Sequence, residues 1–400
     1  MHDPETRRRI GCLDGLRGLA ALWVVIGHAL LIARWQLPLL SVPDLAVDLF
    51  MILSGFLMTY HYAARRRSEP WQSWTTWAKF WVRRFFRIAP VYYLLLAFAL
   101  VLNPWLRAWI TSVNMGAGGA VAPQLDLKVN IALHASFLFG MVPLYSYGTS
   151  ALPDWSIGLE MQFYLVFPIL FLLIARLGIL PALLALTSLC AAAWVMFPDF
   201  LGSFEKPSFL PLKFAMFASG MLIAAGPSAG TARRVSIAAA LLLPSVPIPE
   251  LASVPMMVAR LLLAGALISL VRPNEVTSVL RLDRLARFAS RLLGTRPFSI
   301  MGDLSYGVYL VHLLIMYPVM GLVIVHVGRD SSAPVRAGLC LLLTAPATYG
   351  LAWLLHRFVE RPGIVLGRRM MDGLLSKPAL PSPAMPLREA EMAGNAQHVP

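Results

Sequence analysis

Long apolar runs separated by short, arginine-rich polar stretches dominate the chain. A helix crossing a bilayer needs roughly 20 apolar residues, with about 17 to 25 observed. Runs of that kind are predicted over 17–36, 45–63, 88–104, 157–175, 179–197, 212–227, 235–250, 254–271, 298–327 and 335–358. A further stretch, 129–143, is short and is flanked by Asn130 and Pro143. The pattern predicts an all-α integral membrane protein, a bundle of about ten transmembrane helices in one domain spanning 1–370. Residues 371–400 read as a Pro-rich, disordered cytoplasmic tail, with little to bury.

Composition supports the class and supplies the orientation. Of 400 residues, 58% are hydrophobic and 14% charged, against about half and a quarter in a soluble domain. This excludes a single soluble core and a nucleic-acid binder. Cys12, Cys190 and Cys340 show neither metal-ligand spacing nor a disulfide pattern, so no metal site is expected. The N-terminus lacks the short apolar core and small-residue cleavage site of a signal peptide, and its first run is expected to stay as the first span.

The net charge is +14, from 34 Lys+Arg against 20 Asp+Glu. Cytoplasmic loops collect such cations. Ten spans with both termini inside put Arg65–Arg67, Arg83, Arg84, Arg87 and the six arginines from Arg272 to Arg296 on the inner face. Eleven spans would turn those six outward. Ten is therefore predicted, with 129–143 an outer re-entrant or surface helix. The expected location is a bacterial inner (cytoplasmic) membrane.

Several runs carry residues that are costly inside a bilayer. In LDGLRGLAALWVVIGHAL, 13–30, Arg17 and His28 stand eleven residues apart. At 100° per residue they share one helix face, about 16 Å apart along the axis. Arg17 is then expected at the inner interface, beside Asp14, and His28 near mid-bilayer. An ionisable group there usually faces an interior cavity, though a neutral histidine bonded to a neighbouring helix is an equal alternative. VDLFMILSGFLM, 47–58, places Asp48 at an outer helix end and Ser54 mid-helix. WVRRFFRIAPVYYL, 81–94, sets Arg84 and Arg87 one turn apart. LPDWSIGLEMQFYLVFP, 152–168, carries Trp155, Glu160 and Tyr164. MGDLSYGVYLVH, 301–312, lines up Asp303, Tyr306, Tyr309 and His312. LHRFVERPG, 355–363, pairs His356 with Glu360. Singly, each of these is also explained by helix packing, dipole compensation or interfacial anchoring.

In order, these blocks resemble the membrane acyltransferase-3 family, over roughly 11–366. The DGLRG segment followed by His28 is similar to that family's Arg-x10-His helix. RRFFRIAP, WSIGLEMQFYLVFP, GDLSYGVYLVH and FVERP resemble its later blocks. Ile157-Gly158-Leu159 departs mildly from the family pattern and leaves Glu160 in place. Some members add a C-terminal SGNH-type domain; here only the Pro-rich tail follows.

The resemblance implies transfer of an acyl group, usually acetyl, from acyl-CoA (acetyl-CoA) to a hydroxyl of a carbohydrate. His28 would be catalytic, as a base or as an acyl carrier, with Arg17 a donor-orienting residue. No permanently bound cofactor is expected. Coenzyme A brings phosphates, which guanidinium groups bind bidentately; Arg84 and Arg87 are the expected donor-binding pair. Glu160 is expected on the outer side, where it would grip or deprotonate the acceptor, with Asp48, Trp155 and Tyr164 around it. Asp14, Ser54, Asp303, Tyr306 and His312 would support the site. Expected partners are acyl-CoA, a carbohydrate acceptor, membrane lipids and polysaccharide biosynthesis or export proteins. The other reading is a transporter or flippase of a lipid-linked sugar, which predicts repeated halves with broken helices. No such repeat is visible.

Overall fold

The computed structural model describes residues 4–65, 69–114, 125–146, 152–226, 230–246, 253–271 and 283–375. Among them the chain is helical throughout, without strands. In chain order the helices are α1 (Pro4–Ile32), α2 (Pro43–Ala64), α3 (Trp74–Val101), α4 (Asn103–Asn114) and α5 (Leu127–Ala135). There follow α6 (Trp155–Leu177), α7 (Ile179–Met196), α8 (Pro198–Gly202), α9 (Leu210–Ala225), α10 (Gly230–Leu242) and α11 (Val254–Val271). The last four are α12 (Asp283–Leu293), α13 (Arg296–Val327), α14 (Ala333–Leu355) and α15 (Arg361–Leu375).

Eight helical segments among the described residues are long and apolar enough to cross a membrane. They contain α1, α2, α3, α6, α7, α11, α13 and the continuous run α14–α15. The expected spans 212–227 and 235–250 fall short of that length. The first is the 16-residue α9, apolar and largely buried. The second is the 13-residue α10 closed by a 3-10 turn at Leu243–Ser245, where Pro244 removes a helical donor. Residues 247–250 and 272–282 lie outside the described residues, as does the tail from 376; α15 itself runs past the expected boundary at 370 to Leu375.

Local signals account for the helix ends. Proline occupies the first turn of α2, α9, α13 and α14, where its missing N–H is no loss. Gly178 and Gly328 end α6 and α13 at positive φ. Packing then follows small residues. α1 lies along α13 and α2 along α9. At the first crossing Gly302 rests directly on the Asp14 backbone and Gly18 on Met301 and Gly302. At the second, Gly55 meets the Phe217 carbonyl and Gly220 the Ile52 carbonyl. A Cβ at any of these would enter the facing backbone, so the glycines set the helix spacing.

The segment 127–145 folds over the start of α6, as an outer re-entrant or surface element would. Phe139 packs on Gly158, and Ser208 Oγ donates to the Gly140 carbonyl at 3.0 Å. Gln162 Nε2 donates to Ser208 O at 2.9 Å. Beneath it His134 and Asp154, both fully buried, approach to 3.4 Å. The first turn of α6 is thereby recessed into the bundle.

Candidate active site

A cavity of about 400 Å³ opens between α1, α2, α3, α6 and α13, within the range of small-molecule sites. Arg17, Arg84 and Arg87 line it together with Asp14, Ser54, Glu160, Tyr164 and Tyr306. Glu160 therefore shares a chamber with the arginines. The expected separation of Glu160, on an outer side opposite the arginines, is not what the structure shows: α1, α2, α3, α6 and α13 pack around one common cavity. Its Oε1 accepts from Ser54 Oγ at 3.1 Å and from the Tyr164 hydroxyl.

Each arginine is held differently. Arg87 pairs with Glu360 Oε1 at 3.2 Å. Glu360 is buried at the end of a π-helical turn, His356–Glu360, and its other oxygen meets His356 Nδ1 at 2.9 Å. The wide turn aims the carboxylate inward, a common use of π-bulges. Arg84 stands over three rings, Tyr62, Phe80 and Tyr164, at 5.7 to 6.0 Å. Its Nε has no hydrogen-bond partner among the described residues. A buried donor without an acceptor costs about 1–3 kcal/mol, so Arg84 keeps an open donor beside the cavity. Arg17 lies in α1, and it lines the cavity one turn beyond Asp14. Cys12 and Leu13 before it are buried, so this end of α1 is enclosed by the bundle.

His28 lies only four residues from the far end of α1, nearer that end than mid-span. It does not line the cavity. Its ring lies against His312, with centroids 5.0 Å apart and Nδ1 3.2 Å from His312 Nε2. His312 Nδ1 is 2.6 Å from the Tyr309 carbonyl. Tyr309 also lines the cavity, its hydroxyl 2.7 Å from Ser156 Oγ. One turn of α13 thus connects the cation-lined chamber to the histidine pair.

Three expected site residues stand elsewhere. Asp48 is fully buried between α9 and α11, where Lys213 Nζ holds Oδ1 and Arg260 Nε donates to Oδ2 at 2.7 Å. It lies inside the bundle because two buried cations need it there. Trp155 is 6% exposed and packs in the core instead of offering a stacking face. Asp303 is exposed, since the close crossing at Gly302 turns it away from the cavity.

His61, which also lines the cavity, carries no signal separating it from an ordinary interfacial residue. Lys213 and Arg260 could have been found: each is a lone cation in an apolar run, which demands a buried anion. Outside the spans, Glu69 is clamped by both terminal nitrogens of Arg83 at 2.7 and 2.6 Å. Partial burial pushes the Glu69 carboxyl up, but Arg83 outweighs it and holds the group below the ordinary range.

Fold and site together define a multi-pass helical membrane protein with a cation-lined internal chamber beside a histidine pair. The family model described as an acyltransferase domain matches residues 10–357, and the chain belongs to that acyltransferase-3 family. Similar proteins include BcsY of Komagataeibacter xylinus, named as a membrane-bound transacylase. It is 29% identical over 199 residues, 48% of this chain and 45% of that protein. The peptidoglycan O-acetyltransferase OatA of Listeria monocytogenes is 29% identical over 167 residues, 41% of this chain and 24% of OatA. The O-acetyltransferase OatA of Staphylococcus aureus is 30% identical over 165 residues, 39% of this chain and 24% of its own. The match thus spans under half the length of each of these relatives. No solved structure matches.

Proposed function

We propose that the protein is an O-acyltransferase of a bacterial inner membrane. It moves an acyl group, acetyl by the relatives' example, from acyl-CoA to a hydroxyl of an envelope or exported carbohydrate. The observation that carries this reading is the set of three guanidinium groups around one cavity, with Arg84 Nε unsatisfied. Such groups match the phosphates of coenzyme A. Glu160 lines the same cavity, held by Ser54 and Tyr164, and keeps the chamber from being purely cationic.

Transfer then follows ordinary acyl chemistry. The acceptor hydroxyl oxygen attacks the thioester carbonyl carbon as His28 takes the hydroxyl proton. A C–O bond forms, the C–S bond breaks, and the proton passes from His28 to the leaving thiolate. The products are the acyl ester and free coenzyme A. The acceptor approaches from the end of α1 that carries His28, and the donor from the arginine side. Carbohydrate-assembly or export proteins are the expected neighbours in the membrane.

The test compares cells producing the wild-type protein with cells producing His28→Ala, assaying their polysaccharides for base-labile acyl groups. The wild type should add them and the variant should not. Equal acylation in the two would defeat the reading.

A further inference from the structure

The two facing imidazoles share more constraints than a simple contact needs. His28 Nδ1 lies 3.0 Å from the Val24 carbonyl oxygen and 3.2 Å from His312 Nε2. His312 Nδ1 lies 2.6 Å from the Tyr309 carbonyl oxygen. A carbonyl oxygen can only accept, so each Nδ1 carries its ring's hydrogen. A neutral imidazole has one N–H and one lone pair. His312 Nε2 therefore offers a lone pair, and it faces the Nδ1–H of His28. The His28 lone pair is left on Nε2, which makes no hydrogen bond among the described residues.

We propose that His312 is the positioning residue of this site: its Nε2 accepts the His28 Nδ1–H and so presents His28 Nε2, lone pair outward, to the reacting groups. This inference rests on the acyltransferase reading above. His312 is fully buried, so it acts through His28 and not on a substrate.

The Val24 carbonyl alone would leave His28 tied only to its own helix. His312 ties it to α13, the helix that also presents Tyr309 to the donor chamber. The base and the chamber wall are then fixed on one frame. The bond also matters during the reaction. When His28 Nε2 takes the acceptor's proton, the ring becomes an imidazolium whose Nδ1–H still points at a neutral lone pair. A neighbour that orients a catalytic imidazole and supports its charged form is a large contributor elsewhere. A protonated His312 could not serve, because its Nε2–H would point at the His28 Nδ1–H. The geometry thus admits one hydrogen between the two rings.

Two measurements test this. In the first, full-length protein labelled with nitrogen-15 histidine is placed in lipid nanodiscs. NMR signals of His28 and His312 are assigned by their loss in His28→Gln and His312→Gln. Both rings are expected to be protonated at Nδ1 and bare at Nε2, with coupling across the bond from His28 Nδ1–H to His312 Nε2. A His28 ring protonated at Nε2, or absence of the coupling, would overturn the proposal.

The second follows radiolabelled acetyl-CoA into base-labile esters in inside-out vesicles. His312→Leu is expected to lower the maximal rate on the order of 100-fold, with KM for acetyl-CoA held within about twofold. His312→Gln, whose side-chain oxygen can accept the same N–H, is expected to regain at least about a tenth of the wild-type rate. A Leu variant as fast as wild type, or a Gln variant as slow as Leu, would refute the positioning role. Wild-type vesicles that transfer no acetyl would instead count against the acyltransferase reading, and the nitrogen spectra would then decide the histidine pair alone.

Discussion

Asp48, Lys213 and Arg260 form one knot of buried charge, and Arg17, Arg84 and Arg87 form another, yet the two are satisfied differently. In the knot both oxygens of Asp48, on α2, are held by fully buried cations on α9 and α11. In the chamber the cations face a cavity, with the Nε of Arg84 lacking an acceptor among the described residues. Both sets are ionisable groups within an apolar bundle, so depth alone does not mark function. What separates them is whether their hydrogen bonds are closed among themselves or left open toward a cavity.

The largest expected effect breaks the knot. Asp48→Asn leaves two buried cations without their anion and should cost about 3–5 kcal/mol, read as a lower unfolding temperature in detergent. Replacing all three at once (Asp48→Leu, Lys213→Met, Arg260→Met) should recover most of that loss, since an apolar trio of similar size suits the interior. A single Asp48→Asn as stable as wild type would remove the structural role. Next in size is the crossing of α1 on α13. Gly18→Leu should cost about 1–3 kcal/mol by overpacking and displace Arg17 from the chamber, lowering both stability and acetyl transfer. Retention of both would mean the helices can separate without consequence.

Arg84→Ala should act on binding with little change in stability. Loss of one charge-assisted hydrogen bond, about 1.5–3 kcal/mol, predicts a rise of at least about tenfold in apparent KM for acetyl-CoA. An unchanged KM would assign Arg84 to the rings around it and nothing more. The smallest effect belongs to Glu69. Its lowered carboxyl pKa means the clamp with Arg83 is complete above the ordinary carboxylate range and is lost as pH falls through the lowered value. Glu69→Gln should cost at most about 1 kcal/mol near neutrality, with no loss on acidification beyond that point. Hydrogen exchange of residues 69–73 across that pH range is the measurement.

The same contrast explains what could be read from the chain alone. Apolar length and initial prolines located α1, α2, α6, α7, α11, α13 and α14, because those signals are local. The DGLRG block placed Arg17 on the right helix, and the Arg84–Arg87 spacing put both on one face. Enclosure was harder to read: Cys12 and Leu13, at the mixed-polarity start of the first run, are buried in the bundle. That Glu160 shares the arginines' chamber follows from how α1, α2, α3, α6 and α13 pack around it, a tertiary arrangement without a periodic signature.

Pairings were least legible. Asp48 meets partners 165 and 212 residues away, and His28 meets His312 across 284. Helix periodicity says which face a residue occupies but not which helix lies opposite. Trp155 shows the limit from the other side: its aromatic face suited a sugar, but the bundle needed it as core.

Equilibrium binding of coenzyme A to the purified full-length protein tests the distinction between the two clusters most directly. Arg84→Ala should weaken binding at least about tenfold, while the Asp48→Leu, Lys213→Met, Arg260→Met variant should bind as wild type does. Binding that survives the loss of Arg84 and disappears with the buried knot would contradict the account.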